Sequence, residues 1–148
     1  MTEHPETGEP FASAYGFQDL IGFRKTEFRE GYARFELDLG PQHMNRAMVP
    51  HGGVHCSLLD TALGAAGVYK GLPNDFRQAV TLNLNVSYLA APKGRVLIAE
   101  GRRVGGGKTI YFSEGHVEDE TGLILARASG TFRLLDQSRQ ASYGKLVR

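Results

Sequence analysis

This sequence has one cysteine, almost no net charge and no apolar run long enough to cross a membrane. Cys56 stands alone, so no internal disulfide can form and a reducing compartment is the natural setting. Seventeen basic residues against sixteen acidic ones leave a formal charge of +1, and no basic stripe interleaved with aromatics marks a nucleic-acid surface. Every apolar run is far short of a bilayer span. The opening MTEHPETGEP is acidic and polar, unlike a secretory signal. What remains is a hydrophobic content of 41% and a charged content of 22%, the balance of a globular protein, on 148 residues that suffice for one core. The expectation is a soluble, cytoplasmic, single-domain protein.

The pattern along the chain divides it into a lead-in over 1–10, one domain over 11–135 and a polar tail over 136–148. A short helix is expected over 11–20, with Phe11 and Tyr15 on one side. Strands follow over 21–28 and 32–39, where Ala33, Phe35, Leu37 and Leu39 alternate with polar partners. Residues 52–70 read as a helix apolar on nearly all sides, hence buried on nearly all sides. Its small residues Ala62, Gly64, Ala65, Ala66 and Gly67 let a sheet pack close. Beyond a turn over 71–75, strands are expected over 80–88, 95–104, 108–117 and 123–135, with Gly105, Gly106 and Gly107 in one of the turns. Two strands, one long helix and a four-strand antiparallel meander make an α+β fold, a curved sheet of about six strands wrapped around a central helix.

Asp60 is the only formally charged residue between Val54 and Tyr69. A carboxylate in an apolar helix is costly unless it is paired, solvated by a cleft, or used; facing water is the plain alternative. The helix opens with Pro50, His51, Gly52 and Gly53, a start signal whose two glycines allow close approach to the backbone. The free N–H groups of a helix N-terminus suit a developing negative charge. An acid/base group and an oxyanion site on one short element suggest acyl chemistry.

The run from Asn45 through Pro50, His51, Gly52 and Gly53 to Leu58, Leu59, Asp60 and Thr61 resembles the hot-dog-fold acyl-CoA thioesterases, of the phenylacetate-pathway (PaaI-like) type. The strand Asn85-Val86-Ser87-Tyr88-Leu89 and the ending Ala126-Arg127-Ala128-Ser129-Gly130-Thr131-Phe132 are similar to that family too, and the likeness spans about 15–135. It implies hydrolysis of an acyl-CoA to free acid and CoA without metal or cofactor. Gly52 would give its N–H to the thioester carbonyl, with Gly53 beside it in contact with the substrate. Asp60 would act as general base or as nucleophile, Asn45 would place the water or the carbonyl, His51 would orient the loop, and Thr81 would sit near the attacking water. Arg103 and Lys108, beside the triple glycine, are the expected contacts for the CoA phosphates; the alternative is that they keep sheet ends soluble.

Gly52 and Asp60 are eight residues apart. On one straight helix that is about 12 Å of rise and roughly 80° of rotation, too far for both to act on one carbonyl. If they cooperate, one comes from a second copy, with two antiparallel helices about a two-fold axis. A homodimer with shared sites is expected, with a dimer of dimers also open.

Other signals are weaker. His51 and His55 have zinc-compatible spacing but no third ligand. Cys56 needs a base to be a nucleophile. Ser57 with His51 and Asp60 lacks the strand-to-helix elbow of a serine hydrolase. Two further readings stay open: a hot-dog hydratase or dehydratase using His51 with Asp60, and an acyl-CoA-binding module without turnover.

Overall fold

A computed structural model describes residues 15–72 and 75–136. The expected lead-in, the helix start at Phe11, residues Pro73 and Asn74, and the tail after Asp136 lie outside the described residues. Helix α1 (Gly16–Ile21) leads into β1 (Arg24–Arg29) and β2 (Tyr32–Asp38). A 3-10 turn (Pro41–His43) precedes α2 (Gly52–Ala65). A small two-stranded unit, β3 (Tyr69–Leu72) with β4 (Asp75–Phe76), follows. The remaining strands are β5 (Ala79–Tyr88), β6 (Val96–Gly106), β7 (Ile110–Asp119) and β8 (Ile124–Leu134). One antiparallel sheet in the order β1-β2-β6-β7-β8-β5 packs against α2.

The six strands and the helix match the expected architecture, but the order corrects the four-strand meander. Only β6, β7 and β8 run consecutively; β5 lies at the far edge, hydrogen-bonded to β8. The connection after β5 crosses the end of the sheet. It is held there by Leu89 and Ala90 N–H groups on the Leu125 carbonyl, and by Lys93 and Gly94 N–H groups on the Asp119 carboxylate.

Helix α2 is shorter than expected, ending at Ala65 rather than near Lys70. Its last turn tightens, with Gly67 N–H on Gly64 O and Val68 N–H on Ala65 O. The Tyr111 ring fills the space a side chain at Gly67 would need, and its hydroxyl donates to Gly64 O at 2.5 Å. The chain beyond is then free to pair as β3.

Nor is α2 buried all round. Leu58, Leu59, Ala62 and Leu63 are fully buried against Ala33, Phe35 and Leu37 of β2, Leu97 and Ala99 of β6, and Tyr111 and Phe132. Each buried leucine contributes about 2 kcal/mol. The opposite side, with Gly53, Cys56, Ser57, Asp60 and Thr61, stays exposed or half-exposed in the single chain. Helix and sheet meet closely at Gly101 of β6, where a Cβ would fall on the Ala62 carbonyl. Gly101→Ala is therefore expected to lower unfolding stability by about 2 kcal/mol in urea titrations, since backbone rather than a flexible side chain must yield.

Candidate functional site

The half-exposed side of α2 faces β5, and there the sequence-expected pair meets. The Thr81 hydroxyl donates to Asp60 Oδ1 at 2.6 Å. A register shift between Thr81 and Asn83 makes this possible: Thr81 pairs with Phe132 and Asn83 with Thr131, leaving Leu82 as the extra, exposed residue. Asp60 Oδ2 takes no hydrogen bond from the described residues and is left to a cavity of about 490 Å³. Ala65, Val68, Ala79, Val80 and Phe132 give that cavity apolar walls, and Arg77 and Gln78 add polar groups. Tyr15 closes one side. Burial pushes its phenol up; Thr61 pulls it back and the Asp60 charge adds to the rise, so the wall stays uncharged at neutral pH.

The second group of residues is the N-terminus of α2. His51 is the N-cap, its Nδ1 accepting from Gly53 N–H at 2.8 Å. An accepting Nδ1 places the ring proton on Nε2. His51 N–H donates to His43 O, and Val54 N–H donates to His51 O. Gly52 N–H is left without a partner among the described residues, at the positive end of the helix. The Gly52 carbonyl is also engaged, accepting from the Tyr88 hydroxyl at 2.7 Å.

Asn45 sits in the loop before this N-terminus and builds it. Its Oδ1 accepts from Ala47 N–H at 2.9 Å and Val49 N–H at 3.3 Å, and its own N–H donates to Val49 O. The loop includes Met48 in the left-handed region, φ 61°. Buried His43 ties the loop down, its Nδ1 accepting from Gly40 N–H and its Nε2 donating to Ile21 O at 2.6 Å.

Within one chain the two groups stay apart, since α2 runs unbroken from Gly52 past Asp60 and separates them by about 12 Å of rise. Arg103 lies further still, against Ala66 and Gly67 at the other end of α2. Its guanidinium donates to Gly105 O and Gly107 O and covers the Tyr111 ring, stapling the glycine turn. Lys108 presents its carbonyl to Arg77. The Ser57 hydroxyl is spent on Gly53 O, His55 is buried with its pKa lowered by burial, and the described residues hold no cluster of three or more metal-ligating side chains. A concavity of about 460 Å³ on the outer sheet face is polar and of mixed charge, with His116 between Glu100 and Glu118, and lies away from these residues.

Tyr15, Arg77 and Tyr88 are site residues that the pattern did not single out. For Tyr88 a signal existed: an amphipathic aromatic at the end of an alternating strand needs a partner for its hydroxyl.

A central helix packed against a six-stranded antiparallel sheet is the architecture of the hot-dog class, and here the helix carries a carboxylate beside the edge strand. Residues 49–126 match the family described as the thioesterase superfamily, and the chain belongs to it. A relative from Archaeoglobus fulgidus named "Putative esterase" is 34% identical over 116 residues, covering 76% of this chain and 71% of its own. The BH2602 protein of Bacillus halodurans, solved with CoA, superposes with a TM-score of 0.71 at 30% identity, over 84% of this chain and 81% of that one. The E. coli PaaI protein of the phenylacetic acid degradation operon shares the fold, with a TM-score of 0.71 at 18% identity over 81% of this chain and 84% of its own. Among the described residues no helix is long and apolar enough to cross a membrane.

Proposed function

We propose that this chain hydrolyses acyl-CoA thioesters to free acid and CoA. The observation that carries the reading is Asp60, held by Thr81 with its second oxygen open to an apolar cavity large enough for an acyl group. Asp60 is the general base for water, or the nucleophile that forms a transient anhydride; Gly52 N–H stabilises the oxyanion. A relative solved with CoA supports the substrate class. The committed Nδ1 of His51 argues against a dehydratase that needs that imidazole as its acid/base.

The two groups act on one carbonyl only across a two-fold axis that sets two copies of α2 antiparallel. Each site then takes Asp60 from one subunit and Gly52 from the other, and the solvent-facing side of α2 becomes internal. Asn45 and Gly53 lie at the carbonyl end of that shared site, and Lys108 and Arg103 serve the CoA phosphates.

The test is CoA release, followed through thioester absorbance, with phenylacetyl-, benzoyl- and octanoyl-CoA. Turnover of at least one substrate is expected, and bound acyl-CoA that stays intact for hours would favour a binding module instead. The shared site has its own test. Gly52→Pro removes the N–H at a helix position where proline is tolerated, and its Cβ also presses on the Tyr88 hydroxyl; Asp60→Asn removes the base. Each variant alone should be inactive, while remixed subunits should recover about a quarter of wild-type activity, as random exchange restores one site in half the dimers. No recovery, with exchange demonstrated, would rule out sharing.

A further inference from the structure

We propose that Tyr88 is a positioning residue that fixes the Gly52 N–H for the thioester carbonyl by holding the first turn of α2 against the end of β5. This rests on the thioesterase reading above. The first turn begins with two consecutive glycines, the residues with the greatest backbone freedom, so it needs more fixing than a turn of ordinary residues. Tyr88 is the last residue of β5, and the sheet fixes its backbone opposite Ala126. From there its hydroxyl reaches back across the sheet-to-helix gap to the Gly52 carbonyl at 2.7 Å.

The contact closes a clamp on the Gly52–Gly53 peptide. Tyr88 holds its carbonyl and His51 Nδ1 holds its N–H. The preceding peptide is held through its own carbonyl by Val54 N–H. The one donor in this turn left without a partner among the described residues is the Gly52 N–H, and both peptide planes that flank Gly52 are pinned.

Two neighbours fix the orientation of the phenol. Gly52 O can only accept, so the single phenolic proton points at it. Cys56 Sγ, 3.0 Å from the Tyr88 oxygen, must then be the donor in that contact. The ring leans on buried His55, with centroids 5.8 Å apart. Burial and the Cys56 neighbour push the phenol up to about 12, so it remains a donor throughout the range in which the enzyme would work.

Glycine at 52 serves this contact too. A Cβ there would lie 3.0 Å from the Tyr88 oxygen and 3.2 Å from Cζ, tighter than nine in ten such contacts, so the phenol has to give by a few tenths of an ångström. Gly52→Ala therefore keeps the N–H while pressing on the hydroxyl that positions it.

The experiment is a double-mutant cycle with a spectroscopic readout, on the full chain. Tyr88→Phe and Gly52→Ala should each lower kcat about 10- to 100-fold with KM little changed, the loss that follows a misplacement of about 1 Å. The double variant should lose no more than the worse single one, because both break one contact. In Asp60→Asn, which leaves substrate intact, the 13C-labelled carbonyl stretch of bound thioester should move to lower frequency than in water, and Tyr88→Phe added to it should cancel most of that shift.

Additive losses in the cycle, or a carbonyl shift that survives Tyr88→Phe, would leave Tyr88 a mere packing residue and overturn the proposal. A carbonyl unshifted even with Tyr88 intact would sink the oxyanion role of Gly52, and the positioning role with it. Should Tyr88→Phe fold poorly, Gly52→Ala decides alone: wild-type kcat in that variant overturns the proposal.

Discussion

Asp60→Asn is expected to lower kcat for thioester hydrolysis by about 10²- to 10⁴-fold with the fold intact. Asparagine keeps the shape of the side chain and still offers an oxygen to the Thr81 hydroxyl, which sits 2.6 Å away. The loss then reports the missing base or nucleophile rather than a rearranged cleft. Removing a charge from a largely apolar helix relieves a desolvation cost, so the variant should unfold at the same temperature or higher. KM should move little if Gly52 and the cavity walls carry binding. The measurement is initial rates at saturating acyl-CoA, with thermal unfolding on the same preparations. Wild-type kcat in the variant would remove Asp60 from the chemistry and leave the binding module as the better account.

Asp119→Ala should be the most damaging substitution for stability, at about 3–4 kcal/mol. Asp119 is buried at the end of β7 and its two oxygens gather donors from two separate turns. Lys93 and Gly94 N–H groups reach Oδ2, while Thr121 N–H, the Thr121 hydroxyl and Leu123 N–H reach Oδ1. Alanine strands these donors and frees the connection that carries the chain across the sheet end. The same contacts, led by the Thr121 hydroxyl and opposed only by burial, hold the Asp119 carboxyl well below the ordinary carboxylate range.

A carboxyl whose folded pKa is depressed stabilises the fold above its unfolded value, here 3.8, and the contribution fades as pH falls from there toward the folded value. Urea titrations between pH 6 and 2 should show wild-type stability falling faster than that of Asp119→Asn. Parallel curves for the two proteins would mean that Asp119 carries no acid-sensitive stability.

Elements with a strong local signature were readable from the sequence. The alternation over 80–88 is β5, and the helix start at His51, Gly52 and Gly53 lies where the structure has it. The place of β5 in the sheet was not readable, because alternation specifies a strand and one of its faces but not its neighbour. That choice depends on Asp119 and Leu125, more than twenty residues downstream. The end of α2 is not legible in the sequence for a similar reason, since its cause is a tyrosine from β7 lodged against Gly67.

The placement of Thr81 beside Asp60 followed from family likeness, and the register shift that aims it lies in the pairing with β8, invisible in β5 itself. Tyr88 carried a sign that its hydroxyl needs a partner but not which one, because that partner is a backbone carbonyl 36 residues away, and carbonyls leave no mark in a sequence.

Gly101 has a consequence for how such a protein diversifies. A side chain there, or at Gly115 on the adjoining strand, would strike main-chain carbonyls, of Ala62 in one case and Glu100 in the other. A second substitution can shrink a neighbouring side chain but not a carbonyl, so no compensating change opens these positions. The walls of the Asp60 cavity are different, being side chains such as Ala65, Val68, Val80 and Phe132 that can trade volume with one another. Descendants of this chain are thus free to exchange one acyl preference for another by drift at the cavity wall, while the seam between helix and sheet stays frozen beneath it.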